Sequence, residues 1–227
     1  SHARLNELIA DLTAQHGQKQ IIISTHSSFV ANKLGLDHLI VLREGKVVRI
    51  SELEASGFFR KLAGYDTLRL ALAKKAILVE GDSDELVVQR AYMDKNAGRL
   101  PIQDGIDVIS VGTAFLRFLE LAKALAIPAV VVTDNDGEPA ALDEKYADFK
   151  DEASVRICFD REVDTGTLKV KDKPFNYNTL EPKILKANGL EVLNEVLQIN
   201  AMSEDELRLH MRSNKTECAL AIFSSKT

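Results

Sequence analysis

The sequence lacks most of the features that would place it at a glance. Only two cysteines, Cys158 and Cys218, occur in 227 residues. That is too few for a disulfide framework or a zinc cluster, and it suits a reducing compartment. No apolar run approaches the roughly 18–20 residues of a membrane-spanning helix. No secretory leader opens the chain. Both absences lead us to expect a cytoplasmic protein with no membrane contact. A basic excess is missing as well: 29 Lys and Arg stand against 34 Asp and Glu, a formal net charge of −5. Such a balance argues against coating nucleic acid by bulk charge, but leaves room for a local, metal-assisted site. Internal repeats and low-complexity tracts are absent. What is present is a 45% hydrophobic content, with 6% aromatics. Its periodic spacing excludes disorder and is enough for a core.

Apolar positions Leu5, Leu8, Ile9 and Leu12 predict an amphipathic helix over 3–16. The run Gln20–Thr25 reads as a strand buried on both faces. Residues 39–42 and 47–50, joined by Arg43-Glu44-Gly45-Lys46, read as a hairpin. Residues 51–74 read as a mostly helical connection carrying Gly57 and Gly64. From residue 75 a regular alternation begins: strand Ala76–Glu80, helix Ser83–Asp94, strand Asp107–Val111, helix Ala114–Ala126, strand Pro128–Thr133. Apolar strands alternating with helices imply a parallel sheet with right-handed crossovers, an α/β fold. Val155–Phe159 reads as a further strand, and 180–199 and 203–223 as helices.

Ligands of such sheets bind beyond the carboxyl ends of the strands. Glu80, Gly112 and Asp134 all fall there. Asp134 and Asp136 are two apart, so their side chains point the same way if the extended backbone persists. Two such carboxylates repel unless a cation sits between them. A hard divalent ion, magnesium or manganese before zinc, is the natural one. The same Asp-Asn-Asp-Gly residues also suit a plain strand-to-loop turn. Glu80 reads equally as a solvated strand end, followed by Gly81, which lets the chain turn into the next helix. Asp84 falls in the first helical turn, where the dipole favours an acid with or without metal. Asp82 and Glu85 have capping-box spacing. Gly112 either ends a strand or keeps space clear for a phosphate or metal.

Ile77-Leu78-Val79-Glu80-Gly81, Val111-Gly112 and Thr133-Asp134-Asn135-Asp136-Gly137, in that order on successive predicted strands, resemble the Toprim domain. That domain, shared by topoisomerases, primases and certain nucleases, joins a strand-end glutamate to a later Asp-x-Asp. Asn178-Thr179-Leu180-Glu181-Pro182 and Ser213-Asn214-Lys215-Thr216-Glu217 resemble segments of the OLD (overcoming lysogenisation defect) nucleases. There an ABC-type ATPase precedes a Toprim nuclease, and the later glutamate and lysine belong to the active site. The resemblance implies a Toprim, Rossmann-like sheet flanked by helices, with additional C-terminal helices. It implies a metal-dependent DNA endonuclease with two Mg2+ or Mn2+ ions, Ca2+ serving as a non-catalytic substitute. Glu80, Asp84, Asp134, Asp136 and Glu181 would hold the ions, and Glu80 and Lys215 would be catalytic. Gly81, Gly112 and Thr133 would support them. Taken alone, Glu181 suits a helix start ahead of Pro182, and Lys215 a solvated surface. A lysine opening a helix opposes the dipole, which an anionic neighbour such as a scissile phosphate would offset.

Ile21–Ser27 resembles the ABC-type switch segment, with His26 sensing the γ-phosphate in the full-length protein. No phosphate-loop motif occurs in the 227 residues, so ATP would serve only that longer protein and no ATP hydrolysis is expected of this chain. The expected divisions are 1–54, the end of an ABC-type ATPase domain; 55–74, a helical connector; 75–186, the Toprim catalytic domain; and 187–227, a helical segment completing the active site. DNA is the expected partner, drawn also by Lys169, Lys171, Lys173, Arg208 and Arg212, which suit a solvated surface equally well. A homodimer through the ATPase region of the full-length protein is a further expectation by family analogy. Primase-like nucleotidyl transfer and a degenerate scaffold for assembly are the competing readings. The first lacks a nucleoside-triphosphate site and template domain, and the second sits poorly with an intact acidic set. None of Tyr65, Tyr92, Tyr146 and Tyr177 has the setting of a DNA-cleaving nucleophile.

Overall fold

The computed structural model describes residues 22–25, 30–31, 39–43, 45–52 and 65–225, with single positions at 7, 10, 11 and 14. Those four positions are helical, as the periodicity of 3–16 predicts. The expected strand over 20–25 is not formed where it is described. Residues 22–25 have no regular structure, with Ile22 86% and Ile23 39% exposed. An apolar run becomes a strand only within a sheet, and the sheets formed by the described residues do not include it. His26, Gly57 and Gly64 lie outside the described residues.

The expected hairpin is present as β1 (Ile40–Arg43) paired with β2 (Lys46–Arg49). The Arg43 guanidinium donates to the carbonyls of Ala73 at 2.7 Å and Lys74 at 3.2 Å, which fastens the hairpin to the start of the main sheet. Helix α1 (Tyr65–Leu72) leads into β3 (Lys75–Val79), α2 (Asp82–Lys95), β4 (Ile106–Ser110), α3 (Phe115–Ala124), β5 (Ala129–Val132), α4 (Pro139–Lys145) and β6 (Val155–Cys158). The four strands form one parallel sheet in the order β4-β3-β5-β6. Its apolar runs are buried because helices cover both faces: Leu78, Val79, Ile109 and Val131 are essentially inaccessible. Phe115, Phe118, Leu119 and Ala122 recur at helical spacing, so α3 lays one apolar stripe on that core. Leu68, Leu70 and Ala71 of α1 join the same core.

Beyond β6, a short hairpin of β7 (Lys169–Val170) and β8 (Lys173–Pro174) precedes four helices, α5 (Leu180–Asn188), α6 (Leu190–Leu197), α7 (Glu204–Ser213) and α8 (Lys215–Ser224). Each of the two helices expected here is in fact two. Gly189, at φ 82°, breaks the first, and Asn214, at φ −130° and ψ 46°, breaks the second. Leu185, Leu193, Leu207, Met211 and Cys218 form their own core. Arg90 of α2 donates to the carbonyls of Phe223 and Ser225, so α8 is docked along α2. No helix of the described residues is long and apolar enough to cross a membrane.

Candidate active site

The strand order creates a topological switch point. The chain leaves β3 through α2 toward β4 on one side, and leaves β5 through α4 toward β6 on the other. The crevice between the two departures is where open α/β sheets take ligands. Glu80 follows β3 directly, and Asp134 lies two residues past the end of β5. Three helices begin at the same edge. Asp84 is the third residue of α2, Glu181 the second of α5 and Lys215 the first of α8. The positive ends of the α2 and α5 dipoles lower the cost of holding their two acids there.

Backbone contacts fix each position. The Glu80 carbonyl accepts from the Gly112 N–H at 3.0 Å and from the Ser110 hydroxyl at 3.2 Å. Gly112 has φ +59°, a conformation that costs a side-chain-bearing residue strain, and a Cβ there would meet nothing within 4 Å. The loop is therefore turned at Gly112, with open space beside it. Gly81 works differently from the expectation. Its φ of −135° and ψ of 175° are open to any residue. Its value is room, since a Cβ would stand 3.3 Å from Asp84 Oδ2. That carboxylate folds back to accept the Gly81 N–H at 3.0 Å, so the cap belongs to Asp84 and not to the Asp82–Glu85 pair. Glu85 instead meets Arg69 at 3.2 Å, which also holds Asp107 at 2.7 Å. Thr133 extends the β5 ladder, its N–H donating to the Cys158 carbonyl at 3.2 Å.

Asp134 and Asp136 do not share a face by strand geometry. Asp136 has φ +49°, so the extended backbone ends before it. Asp134 accepts the N–H of Leu180, which links the β5 edge to the start of α5. Burial, then Asp84, then Asp136 and Glu80, push the Asp134 carboxyl up to about 7, against that one hydrogen bond. Asp84 is raised by burial and by Glu181, with the Gly81 N–H and Lys215 opposing. Glu80 is raised by partial burial, then by Asp84 and Asp136, while Lys215 and Lys145 pull it down. Its side chain keeps solvent contact, so water screens part of that repulsion. Glu181 is 5% exposed and pairs with Lys215 at 3.1 Å. The anion that offsets Lys215 at its helix start is therefore this carboxylate.

The acids converge electrostatically without forming a finished cage. Among the described residues, no three His, Cys, Asp or Glu side chains are grouped closely enough to grip an ion as they stand. Asp84 is turned to Gly81, and Asn176 Nδ2 holds Asp136 at 2.8 Å. Uncompensated like charges separate, and a cation would reverse that. The donor set is all carboxylate oxygen, and Glu80, Asp84 and Asp134 within it are penalised for ionising, so it fits hard divalent ions such as magnesium or manganese.

Sequence reasoning missed the residues that pin these loops. Asn135 is 3% exposed. It donates to the Asp160 and Glu162 carbonyls at 2.6 and 2.9 Å and accepts the Gly137 N–H at 2.8 Å. Asn178 accepts the Asp164 N–H at 2.7 Å and donates to the Asp164 carbonyl at 3.0 Å. Lys183 holds Asp160 and Asp164, each at 2.6 Å. An asparagine between two aspartates was the available signal, since its amide satisfies loop backbone that carboxylates cannot donate to. Of the tyrosines, Tyr146 is 3% exposed with its hydroxyl pushed up to about 12 by burial and then by Glu80, a poor nucleophile. Tyr92 donates to Asp104 at 2.7 Å, and Tyr177 is buried against Phe175. The Tyr65 side chain is outside the described set.

A parallel sheet whose switch point carries a strand-end glutamate and an Asp-x-Asp loop defines a Toprim-type, Rossmann-like α/β fold. Within that class, residues 72–136 match the family described as "Overcoming lysogenization defect protein-like, TOPRIM domain". Among solved structures, the chain is similar to the C-terminal region of the OLD protein of Xanthomonas campestris pv. campestris. Identity is 23%, the match covers 70% of this chain and 86% of that one, and the TM-score is 0.46. No curated protein sequence matches significantly.

Proposed function

We propose that this chain is a metal-dependent DNA endonuclease that hydrolyses phosphodiester bonds with two Mg2+ or Mn2+ ions. Glu80, Asp84, Asp134, Asp136 and Glu181 would hold them. The observation that carries the reading is the Asp134 carboxyl, held up to about 7 by burial and three other acids at the switch point. A fold keeps so costly an arrangement where a cation repays it. Bound there, the ions would acidify the attacking water and neutralise the leaving 3′ oxygen. Glu80, exposed and already proton-retentive, is placed to take or return a proton. Lys215 is half exposed and paired on one side with Glu181, so it orients that carboxylate and offers its remaining N–H groups to the phosphate. Ca2+ would fill the site without supporting cleavage.

The same reading keeps residues 1–54 as the end of an ATPase domain, 55–74 as connector, 75–186 as catalytic domain and 187–227 as its completing segment. ATP, sensed through His26, and a homodimer contact would belong to the full-length cytoplasmic protein. Lys169, Lys171, Lys173 and Arg212 are exposed and suited to DNA phosphates. Arg208 is not, since it is spent on Glu204 at 2.6 Å and Asp205 at 2.7 Å. The test is nicking of supercoiled plasmid in magnesium or manganese. Wild type is expected to nick and Asp134→Ala to be inert while keeping its circular dichroism spectrum. Full activity in the variant would remove the proposal.

A further inference from the structure

Two lysines bear on Glu80, and they differ in what else they do. Lys215 is engaged with buried Glu181 at 3.1 Å. Lys145, the last residue of α4, is exposed and pairs with no carboxylate among the described residues. Its Nζ stands 5.5 Å from the centre of the Phe115 ring and 5.2 Å from that of Tyr146. The two rings meet edge to face at 6.5 Å, so the ammonium rests on a rigid aromatic seat. That seat adjoins the open Gly112 turn, three residues before Phe115. Beneath it lies the Tyr146 hydroxyl, fully buried and without a hydrogen-bond partner among the described residues. Phenylalanine would fill the same space without that cost. The lysine, the phenol and Glu80 thus lie within one another's electrostatic reach.

An acidic cleft that receives a polyanion needs cations whose charge is not already consumed. Lys145 is such a cation, and much of its side-chain freedom is already restricted by the rings. We infer that Lys145, seated on Phe115 and Tyr146, is a DNA-phosphate contact of the cleavage site, separate from Lys215. The inference rests on the endonuclease reading for its substrate. Only one strand-backbone phosphate is assigned to it, and no base contact, so the contact is blind to sequence.

The test is DNA affinity, measured by fluorescence anisotropy with a labelled duplex in calcium across a salt series. Wild type is compared with Lys145→Gln and Lys145→Arg, with calcium binding followed by calorimetry. Losing one phosphate contact lowers the slope of log affinity against log salt by roughly 0.9. The advantage of wild type over Lys145→Gln then shrinks about 3.5-fold between 50 and 200 mM salt. Lys145→Arg restores the slope, and calcium affinity is not weakened in either variant. Unchanged slope and affinity in Lys145→Gln overturn the inference, as does a loss of calcium binding that accounts for the weaker DNA affinity. Wild-type plasmid nicking is scored separately. If Lys145 governs binding but the wild type never nicks in magnesium or manganese, the cleavage reading fails and the contact stands.

Discussion

Replacing Asp134 by asparagine removes one negative charge from the site while leaving an oxygen to accept the Leu180 N–H. In the folded protein burial and the neighbouring acids push the Asp134 carboxyl up to about 7 from an ordinary 3.8. At roughly 1.36 kcal/mol per unit, ionising it costs the metal-free fold on the order of 4 kcal/mol. The sign follows from the direction of the shift. Well below pH 3.8 both states hold the proton and nothing is lost. Between there and about pH 7 the unfolded chain ionises while the folded one resists, so wild-type stability falls; above that the full penalty applies. Urea unfolding in EDTA is therefore expected to show wild type and Asp134→Asn within about 0.6 kcal/mol of each other near pH 4. Near pH 8 the variant is expected to be the more stable by about 2–4 kcal/mol, since Asp84, Asp136 and Glu80 share the relief. In millimolar magnesium the order changes: wild type gains stability and the variant gains little. Equal stabilities near pH 8, or a wild type that strengthens on ionising Asp134, would refute the electrostatic reasoning.

Two further outcomes follow from the loops and the ion pair. Asn135→Ala strands buried backbone groups on both sides of a three-bond junction, and is expected to cost about 2–3 kcal/mol in urea unfolding. It should also raise hydrogen exchange at 134–137 and 160–162, and protection unchanged there would deny Asn135 its pinning role. Lys215→Ala leaves the buried Glu181 unpaired, costing about 1–2 kcal/mol without metal because the lysine is itself half exposed. With magnesium present the gap should narrow, metal binding should persist and nicking should be lost. Collapse of metal affinity in a calorimetric titration would instead make Lys215 a structural partner of Glu181.

The site was legible in sequence where regular structure dictates position. Once Ile77–Val79 and Val130–Val132 are read as buried parallel strands, topology puts Glu80 and Asp134 at one edge. Glu181 and Lys215 came into view through family resemblance, and only the fold shows why they meet: α5 and α8 both start at that edge. What the sequence concealed lies in long-range loop contacts. Nothing local says that Asn135 will reach residues 160 and 162, or that Asn176 will hold Asp136. The capping of α2 was misplaced by local spacing, because Asp84 reaches Gly81 while Arg69, distant in sequence, claims Glu85. The run at 22–25 shows the opposite failure, a strand signal that joins none of the sheets formed by the described residues.

The most direct test of the central claim is anomalous diffraction from crystals of this chain soaked in manganese. Two peaks are expected at the carboxyl edge of the sheet, ligated by oxygens drawn from Glu80, Asp84, Asp134, Asp136 and Glu181, with Asp84 released from Gly81 and Asp136 from Asn176. A soak that leaves those carboxylates in their metal-free positions, with manganese elsewhere or nowhere, would contradict it.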